Sequence, residues 1–374
     1  MMRMMRQKTK KPDYFFAVMV FILVFAGIVM ISSSSIVLSF ENFGNNYAYV
    51  SRQVVSLLVG IVALFVTYNI DYRFWRKHSF WMLVLTLLML VLVFVPGIGK
   101  ESGGAHRWIG IGSNWFQPSE LVKLTFIIYL ASWLDNKKEK VKGFFTGFIP
   151  FVFLIAIVAI LIMKQPDLGT MSVIAFTATA IFFAAGADLI HLFIGFVGAG
   201  VTLAILIKTA PYRLQRLLVF LNPSVDTQGA AYHINQALLA VGSGGLWGLG
   251  FGQSRQKYLY LPEAHTDSIF AIIAEELGFI RSGLILVAFL VLGYAGFRIA
   301  KNAPDNFSKL LAVGITSWIL FQAFINIGSM LNLLPLTGVP LPFISYGGSS
   351  LIVLLGAVGI MLNISKSTGE KYGD

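Results

Sequence analysis

The 374-residue chain contains no cysteine, so neither a disulfide framework nor a thiolate-bound metal is open to it. It is poor in charge: Asp, Glu, Lys and Arg make up 12% of the residues, against about 25% in a typical soluble domain. There are five histidines. No HExxH pair, clustered metal-ligand spacing or GxSxG turn occurs, and no GxxxxGK[ST] loop. "GSGGLWGLGFG" (Gly242–Gly252) invites a dinucleotide reading, but Trp247 stands where the third glycine of GxGxxG belongs. Close helix packing or a flexible loop is the better account of those glycines.

What the chain has instead is apolar length. It is 57% hydrophobic, and a membrane-crossing helix needs about 20 mostly apolar residues. Ten stretches qualify, near 14–38, 53–70, 79–96, 118–134, 146–164, 168–186, 189–208, 268–299, 309–331 and 343–364. The eighth is long enough to tilt or to project beyond the bilayer. The first follows a basic leader, "MMRMMRQKTKKP", and lacks the short core and small-residue cleavage site of a signal peptide, so it reads as an uncleaved span. The formal net charge is +11. Well over half of the Lys and Arg fall in the N-terminal tail, around Arg73–Lys77, Lys137–Lys142 and Arg298–Lys309, and in the C-terminal tail. That asymmetry marks these segments as cytoplasmic, puts both termini there, and makes the charge a sign of topology rather than of nucleic acid. The expected fold is an all-α polytopic membrane protein of about ten helices. It forms one domain over 1–374, with cytoplasmic tails at 1–13 and 365–374 and a long outer loop, 209–267, between helices seven and eight.

Two outer segments, 97–117 and 209–267, are too long for simple connectors, and such loops are usually functional. In the second, Arg213 and Arg216 lie three apart among leucines, as in a short helix lying in the interface. Its Gly-rich part belongs at membrane depth, against protein or a cavity.

The densest chemistry is "LYLPEAHTDSIFAIIAEELG" (Leu259–Gly278), with Glu263, His265, Asp267, Glu275 and Glu276. Pro262 and Thr266 look like helix-start signals, placing Asp267 in the first turn of the eighth span. At about 100° per residue, Glu275 falls about 80° from Asp267 and about 12 Å along the axis, while Glu276 faces away. The helix dipole accounts for an acid at Asp267 but not for two acids a further two turns in. Ionisable groups in a span are expensive and face a cavity or a partner.

Three further motifs stand out. In "QPSELVK" (Gln117–Lys123), Glu120 and Lys123 can pair on one helix face, or Lys123 can snorkel, or serve as a cation for phosphate. In "LPLTGVPLPFISYGGSS" (Leu334–Ser350), freed amides and the hydroxyls of Ser345, Ser349 and Ser350 suit either an anion or small-residue packing. In "KQPDLGT" (Lys164–Thr170), Asp167 reads foremost as a turn residue.

Taken in order, "AHRWIGIGSNWFQPSELVKL", "QPDLGT", "AVGSGGLWGLGFGQSRQKYLYLPEAHTDSIFAIIAEELG" and "NLLPLTGVPLPFISYGGSS" resemble the SEDS family (shape, elongation, division and sporulation), whose members include FtsW, RodA and SpoVE. The likeness covers nearly the whole chain, and "QKYLYLPEAHTD" is more similar to the FtsW and SpoVE branch. His106 stands where the family often has Arg, and Asn332 where it has Gly or Thr.

The resemblance implies a glycosyltransferase of the bacterial cytoplasmic membrane, acting at the division septum. It would polymerise lipid II into glycan strands beside a class B penicillin-binding protein and other division proteins. Carried over, Asp267 matches the family's essential acid, and Glu120 and Lys123 its paired charges. A sugar hydroxyl attacking the anomeric carbon needs a base, for which Asp267 is the candidate. The departing pyrophosphate needs cations, for which Lys123, Arg213 and Arg107 are the candidates. Glu263 and His265 would orient Asp267 or hold a divalent cation, magnesium or manganese. No other cofactor is implied, and the spacing shows no dedicated metal cage. Glu275, Glu276 and Asp167 are left as structural or tuning groups. A lipid II flippase or a non-catalytic division scaffold are the competing expectations. A transporter would place its acids near the midplane, and a scaffold needs no acid at Asp267.

Overall fold

A computed structural model describes residues 11–102, 105–111, 114–137, 140–208, 211–222 and 231–367. The N-terminal tail through Lys10, Lys138 and the C-terminal tail beyond Ser367, all part of the charge argument, lie outside the described residues.

The chain is helical throughout its apolar stretches. The first half runs α1 (Tyr14–Ser34), α2 (Ile36–Phe43), α3 (Ala48–Asn69), α4 (Tyr72–Leu92), α5 (Pro118–Asp135), α6 (Ile149–Lys164) and α7 (Leu168–Ala184). The second runs α8 (Leu189–Lys208), α9 (Pro211–Leu221), α10 (Tyr232–Ser243), α11 (Ile269–Lys301), α12 (Asn306–Met330) and α13 (Gly348–Ser367). Eight of the described helices are long and apolar enough to cross a membrane. α5 and α7 occupy the other two expected positions: α5 carries Glu120, Lys123 and Asp135, and α7 is 17 residues long. Aspartates start several helices, their carboxylates accepting from first-turn amides: Asp13 for α1, Asp71 for α4, Asp167 for α7 and Asp305 for α12.

Among the described residues the helical fold carries one small sheet. In the segment 97–117, β1 (Gly99–Ser102), β2 (Ala105–Ile111) and β3 (Asn114–Phe116) pair antiparallel in the order β1-β2-β3. With no helix period and several glycines, this stretch satisfies its backbone by cross-strand pairing.

α12 sits at the centre, packed by α5, α7, α11 and α13, and α13 lies along α3. α5, α12 and α13 are buried nearly end to end, whereas α8 is exposed along almost its whole length. Broad exposed apolar faces on α1, α3, α4 and α8 suit lipid contact. One end of the bundle is tied by polar pairs: Arg298 to Asp13 at 2.6 Å, Arg76 to Asp135 at 2.6 Å, and the Tyr72 hydroxyl donating to Asp305 at 2.6 Å.

The helix α11, the expected eighth span, is two helices. At Gly278 the backbone turns to φ 80°, ψ 175°, and the α-helical hydrogen bonding is interrupted. The Gly-rich segment after α10 fills the break. Leu249 and Gly250 donate to the carbonyls of Glu275 and Glu276 at 3.0 Å each. Phe279 and Ile280 donate back to Gly245 and Leu246 at 2.8 and 3.3 Å. Four backbone hydrogen bonds thus cross the break, the kind of pairing that allows irregular chain at membrane depth.

Candidate active site

The end of the bundle opposite the Arg298–Asp13 pair gathers three loops: 244–268, 331–347 and the turn 164–167. Asp267 stands at their meeting point. It lies two residues ahead of α11, whose N-cap is Ser268, and not in the helix's first turn as expected. Its backbone carbonyl accepts from Asn326 Nδ2 at 2.7 Å, and the same amide donates to the carbonyl of Val339 at 2.8 Å. One α12 side chain therefore ties the acid's own backbone to the loop that carries Val339. Ser345 Oγ donates to the neighbouring carbonyl of Thr266 at 2.7 Å and accepts from Leu341 N at 2.8 Å. Tyr346 N donates to the carbonyl of His265 at 2.9 Å.

Asp267 itself is half-buried. Burial is the main reason its carboxyl is pushed up to about 6, with the negative charges of Glu263 and, more weakly, Asp167 acting in the same direction. Glu263 is exposed, and its Oε2 accepts from Thr266 Oγ1 at 2.5 Å. Asp167 accepts from Thr170 N and Oγ1, both at 2.9 Å, so it is at once the cap of α7 and a charge facing the site. Leu259, Glu263, Asn332 and Phe343 all hold positive φ on the loops around Asp267. Such strain collects at functional sites. Asn332, at φ 52°, is of a residue type that tolerates the left-handed conformation.

Several expected roles change. Lys123 and Glu120 do pair, at 2.8 Å, but both are sealed from solvent. The Lys123 ammonium also donates to Gln322 Oε1 at 2.9 Å and lies 5.2 Å from the centre of the Trp318 ring. An enclosed cation with these partners props α5 against α12; it is not open to a phosphate. Gln322 passes the connection on, donating to the carbonyl of Pro340 at 2.9 Å.

Ser345, spent on Leu341 and Thr266, offers no free hydroxyl to an anion. Arg107 reaches from β2 to the carbonyls of Gln165 and Pro166 at 3.0 and 2.8 Å, bracing the turn that presents Asp167. Arg213 turns back to the carbonyl of Leu206 at 3.0 Å. Its neighbour Arg216, exposed one turn on, donates to the carbonyl of Leu336 at 3.3 Å, beside the Thr337–Val339 turn that flanks Asp267.

His265 is buried with its ring 4.5 Å from that of Tyr49 and 5.3 Å from that of Tyr346, and burial lowers its pKa. That packing does not suit a metal ligand. Among the described residues no three carboxylate or imidazole groups converge to hold a metal ion.

Glu275 and Glu276 are spent elsewhere. Glu275 accepts from Ser254 Oγ and from the amides of Arg255 and Gln256, at 3.0 and 3.4 Å. Glu276 pairs with Lys257 at 3.1 Å and accepts from Ser33 Oγ at 2.6 Å.

Three residues near the acid were not singled out from sequence. Asn326 and Gln322 lie four apart on α12, and polar side chains repeated at helical spacing inside a span are the signal that would find them. His233, to which no role was given, bonds Ser268 Oγ through Nε2 at 2.6 Å. Burial lowers its pKa.

The FtsW/RodA/SpoVE model, described as a cell cycle protein family, matches residues 13–370. The chain belongs to this family. It is 43% identical over 363 residues to stage V sporulation protein E of Bacillus subtilis (strain 168), covering 97% of this chain and 99% of that one. It is 44% identical over 339 residues to a probable peptidoglycan glycosyltransferase FtsW of Geobacter metallireducens, covering 91% and 90%. Among solved structures, the rod shape determining protein RodA of Thermus thermophilus superposes with a TM-score of 0.71 at 27% identity, covering 97% of this chain and 98% of that one. A chain from a peptidoglycan synthase complex that coordinates polymerization and crosslinking superposes at 0.79, with 26% identity and 96% and 98% coverage.

Proposed function

We propose that this family member is a peptidoglycan glycosyltransferase that polymerises lipid II, with Asp267 as general base and the lipid pyrophosphate as leaving group. The setting of Asp267 carries the reading: a half-buried carboxyl, raised to about 6 and pinned through its own backbone, where three loops meet at one end of an apolar bundle. A base is most effective with a pKa near the working pH. The ionised carboxylate takes the proton of a sugar hydroxyl as that oxygen bonds to the anomeric carbon of a second lipid-linked sugar. The bond from that carbon to the pyrophosphate oxygen breaks, and its electrons leave with the pyrophosphate. Attack from the opposite face inverts the anomeric carbon. Arg216, exposed and bonded to the Leu336 carbonyl beside the Thr337–Val339 turn, is the cation assigned to the departing charge. A magnesium or manganese ion would arrive on the pyrophosphate itself, and no step depends on it.

In the cell, the Asp267 end faces outward and both termini face the cytoplasm, a reading supported by the basic loops at the other end. A class B penicillin-binding protein is the partner and the division septum the place, alongside other division proteins. Support comes from the cell-cycle family and from the structural neighbour's pairing of polymerization with crosslinking.

The test is purified chain with the transpeptidase and labelled lipid II. Wild type makes glycan polymer, and Asp267→Asn folds, binds the partner and makes at least about 100-fold less. Full polymerisation by the variant removes the base assignment. Lipid movement across vesicles without polymer transfers the reading to a flippase.

A further inference from the structure

The chain from Ser254 to Glu276 is a closed loop, and Asp267 lies inside it. Its start is tied to its end: Glu275 binds the Ser254 hydroxyl and the amides of Arg255 and Gln256, and Glu276 accepts from Ser254 N at 3.3 Å. Lys257 completes the closure. Its ammonium donates to Glu276 Oε1 at 3.1 Å, to the carbonyl of Gly252 at 2.6 Å and to Ser33 Oγ at 3.2 Å. Ser33 belongs to α1 and donates to the same Glu276 oxygen. Lys257 is 4% exposed, Glu276 0% and Ser33 6%.

A buried ion pair is a poor device for stability alone, because apolar residues of similar volume often do as well or better. What it adds is direction: a small number of bonds that hold in one arrangement. Between the clasp and the acid, Tyr258, Leu259 and Tyr260 are all exposed, and Pro262 and Glu263 are too. Only Leu261, Ala264 and His265 of this stretch pack inward. At the acid itself, Asn326 holds the carbonyl of Asp267 and Ser345 that of Thr266. Further upstream, residues 254–257 are held by the clasp.

We propose that Lys257, Glu276 and Ser33 are positioning residues that set the height of Asp267 at the site and couple α1 to it. The inference rests on the reading of Asp267 as the base. It gives a use to the buried acids of α11 that the chemistry leaves unemployed.

Two variants test it. Lys257→Met/Glu276→Leu removes both charges together, so neither is left buried alone, and it is expected to melt close to wild type. Its polymerisation kcat should fall about 100-fold, the size expected for a misplacement of about 1 Å, with KM for lipid II within about twofold. Amide exchange over 254–268 should rise at least about tenfold. Ser33→Ala removes one hydrogen bond and should move kcat and exchange the same way by less; it decides the matter if the double variant does not fold. A folded variant with wild-type kcat, or one altered in KM alone, overturns the proposal. If wild type itself makes no polymer, the functional reading has failed, and the exchange measurement judges the clasp separately: unchanged protection in 254–268 overturns it.

Discussion

Gly248 and Gly278 cross with their backbones in contact: a Cβ placed on Gly278 would lie 2.2 Å from the Gly248 nitrogen. One on Gly248 would lie 2.2 Å from the Glu276 carbonyl oxygen. Both residues also hold positive φ, at 84° and 80°. The neighbours they would strike are backbone atoms, which cannot swing aside as a side chain could.

Gly278→Ala and Gly248→Ala should therefore each destabilise the protein by at least about 1–3 kcal/mol from strain alone, with the clash in addition. Melting of detergent-solubilised protein measures this. Gly252→Ala is the control: it also has positive φ, but a Cβ there meets nothing within 4 Å, so only the strain should appear. Equal losses at all three positions would mean the crossing is not tight.

Activity should follow the ionisation of Asp267. Because its carboxyl is raised to about 6, the rate should climb as pH rises through about 6, well above the usual carboxylate range. Glu263→Gln removes one negative neighbour, so the limb should move to lower pH. The stability sign is opposite to the usual carboxylate case. A raised folded pKa favours the protonated form, a contribution complete below the unfolded value and lost as pH rises through about 6. Asp267→Asn should consequently be at least as stable as wild type at neutral pH. A pH–rate profile of both proteins, with melting curves, checks each part; a limb unmoved by Glu263→Gln would remove the electrostatic argument.

The span positions could be read because apolar length is the strongest signal a sequence carries, and Asp267 stood out as a candidate because an acid at the mouth of such a run needs a reason. What could not be read is where side chains spend their bonds. An unbroken-helix wheel put Glu275 on the face of Asp267, but Asp267 precedes the helix and Glu275 turns to Ser254. Nothing in periodicity announces the break at Gly278, because the apolar pattern runs through it and only the crossing strand makes it necessary. Lys123 showed its pairing with Glu120 by their spacing. Its enclosure came from Gln322 and Trp318, nearly 200 residues away.

That enclosure makes Lys123→Met a stability variant first. It leaves the Glu120 carboxylate buried without its cation, and removing one partner of such a pair costs about 3–5 kcal/mol. Glu120→Gln/Lys123→Met should recover most of the loss. If Lys123→Met instead keeps wild-type melting and loses only activity, the ammonium is reaching substrate in a state other than this one.

The choice between the two arginines of α9 is the sharpest test of the site's cation. Arg213 donates to the carbonyl of Leu206, while Arg216 contacts the Leu336 carbonyl beside the turn that abuts Asp267. A donor aimed at developing charge is typically worth about 100- to 1,000-fold in rate. Arg216→Ala should lower kcat/KM for lipid II polymerisation by about 100-fold, and Arg216→Lys should restore part of it, because a charge without the planar fork still attracts phosphate. Arg213→Ala should cost less than about tenfold. A larger loss at Arg213 than at Arg216, measured with equally folded proteins, would give the leaving group to the α8–α9 corner and require that corner to approach Asp267 during turnover.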